Sequence, residues 1–205
     1  MNDTKTTSEI DSATGAHGVL EQLRSIMPNR NLTPTEAHIL AERQATMLLH
    51  ELDVETPATP HQLIAELPFL TVAQHGSFKA SGLSTYTRRG WLILLKRDEP
   101  KVRQRFSLAH ELKHILDDPF IDQLYPTLGH HDAHERAERI CDYFAGCLLM
   151  PKRWLLRDWT SGRQNIERLA ARYHVSRAAM RVRLLQLGLL PPTPRCDGIE
   201  QEAWT

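Results

Sequence analysis

Residues 110 to 114 read His-Glu-Leu-Lys-His. On a helix, positions four apart lie about 40° apart around the axis and about 6 Å along it. His110 and His114 therefore face the same way and can grip one metal ion. Glu111 stands beside them, where a carboxylate can take a proton from a metal-activated water. That is the spacing of a zinc peptidase helix. A catalytic zinc keeps three protein ligands and one position open to water, so a third ligand must come from elsewhere. A compact extension of the same motif needs a glycine at Asp117 and a histidine at Phe120. Neither stands there. A carboxylate from a later helix remains, and the candidates are Glu135 and Glu138.

Glu138 is the better candidate. Asp142 sits one turn behind it on the same helical face, where a second carboxylate can accept the other ring N–H of a ligand histidine and fix its orientation. Glu135 has no comparable carboxylate one turn on, because position 139 is Arg139. Small Ala145 and Gly146 let two helices approach closely. His130, His131 and His134 read as residues of a loop at the mouth of the site, with a minor role open as a ligand or as stabiliser of the transition state. Asp117 and Asp118 read as turn formers. Cys141 and Cys147 read as small buried residues of a helix rather than a bridge or a metal site.

These residues need elements to hold them. Residues 1 to about 17 are polar and read as disordered, as part of a mostly disordered segment 1–30 that includes a short helix from Val19 to Met27. Thr33-Pro34-Thr35-Glu36 is a helix start leading to about Leu52, and Thr59-Pro60 opens another short helix. Phe69–Gln74, Gly82–Arg88 and Trp91–Lys96 read as three strands, the last two joined by a tight turn at Arg89-Gly90. The apolar run Trp91–Leu95 predicts a strand covered on both faces. The motif helix follows Asp98-Glu99-Pro100 and lasts to about Leu116. A loop from Asp117 to Asp132 precedes a second long helix, His134–Leu149, stopped by Met150-Pro151. Pro151 opens a further helix, and two more close the fold, Gln164–Tyr173 and Ser176–Leu187, with Ser176 as N-cap and Gly188 as stop. The expected fold class is α+β: a small three-stranded antiparallel or mixed sheet packed by helices, with a zincin-like, gluzincin-type active-site helix and a C-terminal pair resembling a helix-turn-helix. One domain over residues 31–190 and a flexible tail, 191–205, complete the reading.

With 41% hydrophobic and 24% charged residues the chain matches a globular domain, and a net charge of +0 gives no electrostatic support to a dominant nucleic-acid or membrane-surface role. No apolar run is long enough to span a membrane, and the polar start lacks the core of a signal peptide. The three cysteines are too few for a disulfide framework. A cytoplasmic protein is expected.

The stretch Arg105-Phe106-Ser107-Leu108-Ala109-His110-Glu111-Leu112-Lys113-His114 resembles the zinc helix of the ImmA/IrrE family of metallopeptidases. Glu138 to Pro151, with Asp142-Tyr143-Phe144-Ala145-Gly146-Cys147-Leu148-Leu149-Met150-Pro151, resembles that family's second signature, whose first glutamate is the third ligand. The C-terminal helices look like its end, so the resemblance spans roughly residues 33 to 190. It implies a zinc endopeptidase with one Zn2+ per chain held by His110, His114 and Glu138, Glu111 as general base, and Asp142 orienting a ligand. It also implies a protein substrate, a helix-turn-helix repressor of stress genes or mobile elements, and hence a part in stress response and transcription regulation. The strand just before the motif helix is expected to pair with an extended substrate segment.

A second function class competes. Lys152, Arg153, Arg157, Arg163, Arg168, Arg172, Arg177, Arg181 and Arg183 face only Asp158 and Glu167 over residues 152–183. Leu169 to Ser176 followed by an Arg-bearing helix reads like a helix-turn-helix. A DNA-binding transcriptional regulator, with or without peptidase activity, is the alternative to a packed helical pair with a solvated basic face.

Overall fold

The computed structural model describes residues 18–76, 79–125 and 133–191. Its first element, α1 (residues 18–25), is no loose leader: Leu20 and Leu23 are buried. Packing thus reaches ahead of residue 31, where the domain was expected to begin. Helix α2 (Pro34–Glu51) starts on a capping box, with Thr33 and Glu36 satisfying each other's backbone donors. Short α3 (His61–Ala65) leads into the sheet.

The three strands are β1 (Leu70–His75), β2 (Gly82–Thr87) and β3 (Gly90–Lys96). Their order is β1-β3-β2, with β1 parallel and β2 antiparallel to β3, so the sheet is mixed. The β2–β3 turn falls on Arg88-Arg89, one residue earlier than expected, because Thr87 pairs with Gly90. Gly90 takes φ +110°, and a Cβ there would meet the Phe69 carbonyl oxygen at 3.1 Å. The strand before the motif helix, β3, lies in the middle of the sheet. Both its edges are taken, which overturns the expectation that it pairs with substrate; β1 and β2 are the edge strands, and β2 is the one beside α4. Nor is β3 fully covered on both faces. Ile93 and Leu95 are buried, whereas Trp91, Leu92 and Leu94 are half-buried.

Helix α4 (Lys101–Asp117) carries the motif and lies against β2 and β3. Its far end is fixed by a buried polar network. Lys113 Nζ donates to Asp117 Oδ1 at 2.6 Å and to Gln44 Oε1 on α2 at 2.8 Å, and Tyr125 Oη donates to Asp117 Oδ2 at 2.5 Å. Lys113 and Asp117 are 0% and 1% exposed. Asp117 is therefore an interior ion-pair partner rather than a turn former. Arg24 on α1 donates to the carbonyls of Ile115 and Leu116, satisfying the helix's C-terminal turn. Nearer the motif, Arg105 donates to the carbonyls of Thr59 and His174, tying α4 to two distant loops.

The expected loop after Asp117 begins instead with a 3-10 turn (Asp118–Phe120) and α5 (Ile121–Leu124). Helix α6 (Ala133–Leu149) packs between α2 and α4. Then come α7 (Lys152–Thr160), α8 (Ile166–Arg172) and α9 (Arg177–Gln186), the last two capped by Asn165 and Ser176. Among the described residues no helix is long and apolar enough to cross a membrane.

Candidate metal centre

His110 and His114 are one turn apart on α4, and their Nε2 atoms lie 3.1 Å from each other. Glu138, on the first half of α6, straddles them. Its Oε2 is 3.3 Å from His110 Nε2 and its Oε1 is 3.1 Å from His114 Nε2. A tetrahedral zinc with bonds of about 2.0–2.1 Å requires donors about 3.3–3.4 Å apart. Two imidazoles and a carboxylate at these separations fit that ion. Glu135 does not compete: it is exposed and pairs with Arg139 at 3.6 Å.

Asp142, one turn along α6, accepts from His110 Nδ1 at 2.9 Å, so His110 is held by its outer nitrogen while its inner one faces the centre. Burial works against a charge on His110, but the Asp142 hydrogen bond and the carboxylates of Asp142, Glu138 and Glu111 outweigh it and raise its pKa. Burial, reinforced by the neighbouring His110, lowers that of His114.

Glu111 is buried and lines the same half-open cavity of about 620 Å³. Its position comes from β2. Ser84 Oγ donates to Glu111 Oε2 at 2.8 Å. At Gly82, two residues earlier on the same strand face, an added Cβ would sit 2.8 Å from Glu111 Oε1 and 2.9 Å from its Cγ. Only a residue without a side chain leaves the carboxylate where it is. Neither residue was singled out in the sequence. The one available signal was the alternation Gly82-x-Ser84, two small residues on one face of an otherwise larger-residue strand.

Other expected members of the site divide. His134 lines the cavity, its Nε2 3.7 Å from Glu138 Oε1, while His130 and His131 lie outside the described residues. Gly146 faces α9, with Arg183 Cδ at 3.8 Å from a Cβ there, so it does not serve the α4–α6 approach; Ala145 is buried. Cys141 and Cys147 are free and buried. Yet Cys141 is more than core filling. Its Sγ and one nitrogen from each of His110 and His114 lie within 4.8 Å of one another. Burial pushes its thiol well above the ordinary range, which disfavours the thiolate that binds a metal, whereas the Glu138 carboxylate stands 3.1–3.3 Å from both rings.

The family described as the IrrE N-terminal-like domain, a peptidase family, matches residues 70–185, more than half of the chain. The chain belongs to this family. The matched stretch of the IrrE-like domain takes in β1 to α9, and with them every residue of the centre. No curated protein matches. A solved structure of a Mycobacterium tuberculosis transcriptional regulator superposes with a TM-score of 0.58 at 20% identity, over 88% of this chain and 54% of that one. At that identity the likeness is one of fold alone. This chain spans about half the length of that regulator.

Proposed function

We propose that this chain is a zinc-dependent endopeptidase of the ImmA/IrrE type. His110, His114 and Glu138 hold the metal, Glu111 is the general base, and Asp142 orients His110. The observation that carries the reading is the convergence of two imidazole Nε2 atoms 3.1 Å apart with the Glu138 carboxylate, one oxygen 3.3 Å from His110 and the other 3.1 Å from His114, with a buried carboxylate on the same wall. A bound zinc ion supplies Lewis acidity, polarising the scissile carbonyl and lowering the pKa of a coordinated water.

The protein's own groups do the rest. Glu111 accepts the water proton on a carboxylate oxygen and then delivers it to the leaving amine. Ser84 donates to Oε2 and so holds the Glu111 carboxylate in orientation, with lone pairs left for the water proton. Asp142 keeps the proton of His110 on Nδ1, so that Nε2 is the donor atom. Edge strand β2, whose Gly82 to Ser84 line the cavity, offers backbone groups to an extended substrate. His134, which lines the cavity, is the residue we assign to the oxyanion.

The substrate we favour is a DNA-binding helix-turn-helix repressor, on the strength of the family resemblance. The regulatory character of the M. tuberculosis protein agrees with that context. For a DNA-binding role the C-terminal helices are poorly free. Asp158 takes Arg163 at 3.1 Å and Arg172 at 2.9 Å, Glu167 takes Arg177 at 2.7 Å, Arg153 donates to the Val54 carbonyl, and Arg183 is buried. Asp158 with Arg172 ties α7 to α8, and Glu167 with Arg177 ties α8 to α9, which favours the packed-pair reading. A cytoplasmic location follows from the proposed substrate.

The test is incubation of the zinc-loaded protein with candidate repressors, read by intact mass with and without chelator. Cleavage that chelator stops and that Glu111→Gln abolishes, with zinc still bound in the variant, is expected. Undiminished cleavage by Glu111→Gln would remove the base assignment.

A further inference from the structure

The cavity at the metal centre does not end at the metal. A second cavity of about 550 Å³ adjoins it, and the two share Arg103, Phe106 and Asp142 as a common wall. Helices α4, α6 and α9 enclose it. Its floor is apolar: Phe106 and Val102 from α4, Tyr143 from α6, Ala179 and Val182 from α9. Val182 is 53% exposed, an apolar side chain standing open inside a concave surface.

The rim and walls are cationic. Arg103 and Arg139 stand at the edge, each more than half exposed. Arg139 pairs with Glu135 at 3.6 Å on the surface, where such a pair holds little energy, whereas Arg103 stands 3.9 Å from the buried Oε2 of Glu99. Arg183 sits in the wall at 1% exposure, its guanidinium 5.4 Å from the Tyr143 ring centroid. Its Nη2 has no hydrogen-bond partner among the described residues, although Glu42 Oε1 stands 3.7 Å away. Among the described residues the one carboxylate lining this groove, Asp142, is already engaged with His110. An apolar floor under an arginine rim is the anatomy of a protein-recognition surface, and its electrostatic complement is negative.

We propose that this groove is the subsite for the substrate chain on one side of the scissile bond. It selects an extended segment that carries apolar side chains beside carboxylates. The inference rests on the peptidase reading for the word substrate, but the groove's preference for acidic, apolar peptide stands on its own geometry. Continuity through Phe106 and Asp142 makes the groove reachable by a chain whose scissile bond lies at the centre.

The probes are two fluorescein-labelled decapeptides with the same Val-Leu core, one flanked by glutamates and the other by lysines. Each is titrated against zinc-loaded Glu111→Gln protein by fluorescence anisotropy. The acidic peptide is expected to bind about tenfold more tightly at low salt, the gap narrowing as salt screens the rim. Val182→Glu, at an exposed site, should weaken the acidic peptide by a further factor of about ten through like-charge repulsion while zinc content and melting temperature stay as they were. Equal binding of both peptides, or acidic-peptide binding indifferent to Val182→Glu, overturns the proposal. Failure here and failure of the peptidase reading are distinguishable. Chelator-sensitive cleavage of a repressor without peptide discrimination removes the groove alone. Discrimination without cleavage of any repressor removes the peptidase and leaves a peptide-binding groove.

Discussion

Gly82→Ala is the substitution that asks most of the geometry. The new methyl group would lie 2.8 Å from Glu111 Oε1 and 2.9 Å from its Cγ, about 0.6 Å short of ordinary contact. Because Cγ belongs to the stem of the side chain, rotating the carboxylate does not relieve the clash. Glu111 must retreat as a whole, and the 2.8 Å bond from Ser84 lengthens with it. A misplacement of about 1 Å in a reacting group costs on the order of 100-fold in rate. A shift of somewhat more than half that, with a lost hydrogen bond, should lower kcat about 10- to 100-fold, or about 1.4–2.7 kcal/mol of barrier. Zinc content should hardly change, since the three atoms nearest the new methyl group all belong to Glu111 and none to a ligand. Its backbone lies outside the left-handed region, so alanine is not strained there. The assay is single-turnover cleavage of a repressor at several substrate concentrations, with metal analysis and a melting curve on the same sample. Full kcat in Gly82→Ala protein would show that the contact does not hold the base.

Further consequences concern the residues around the centre. Lys113→Ala leaves Asp117 charged and buried without its cation, and should cost about 3–5 kcal/mol in a denaturant titration; the paired change Lys113→Met with Asp117→Leu should recover only part of that loss, because Gln44 and Tyr125 lose their buried partners. Asp142→Ala removes the partner of His110 Nδ1 and should weaken zinc about 10- to 100-fold in competition with a chromophoric chelator; an unchanged affinity would deny it the orienting role. The pH response also has a definite sign. In metal-free protein the raised pKa of His110, which the surrounding carboxylates sustain against burial, means that the folded state holds the proton more firmly than the unfolded. That contribution is complete below the unfolded value, about 6.5, and vanishes as pH rises through the raised one. The urea-midpoint difference between wild type and Asp142→Asn should therefore shrink from acid to alkaline pH; a constant difference would contradict it. Zinc retention should run the other way, falling as pH drops, since the ring must give up its proton to bind.

How much could be read in advance divides along a physical line. Local signals served well where the cause was local. The Thr33–Glu36 capping box, the Ser176 cap and the four-residue spacing of His110 and His114 are short-range chemistry, and each element starts or faces as its residues dictate. The pairing of Glu138 with Asp142 was legible for the same reason: both sit on one helical face. What stayed hidden depends on tertiary placement. Asp117 reads as a turn residue until Gln44 arrives from 69 positions before Lys113 to complete its network. Gly82 and Ser84 acquire meaning only because β2 takes the sheet edge beside α4, an arrangement that strand periodicity alone does not specify. The same topology places β3 centrally and so removes it as a substrate partner. Cys141 reads as core until the fold brings α6 against the motif helix.

The most direct measurement is X-ray absorption at the zinc edge on protein loaded with one equivalent of metal. Coordination by His110, His114 and Glu138 predicts nitrogen and oxygen scatterers alone, at about 2.0–2.2 Å, with imidazole outer-shell features from two rings. The spectrum should change in Glu138→Ala and stay as it is in Cys141→Ala. A sulfur scatterer at about 2.3 Å, or a spectrum indifferent to loss of Glu138, would contradict the assignment.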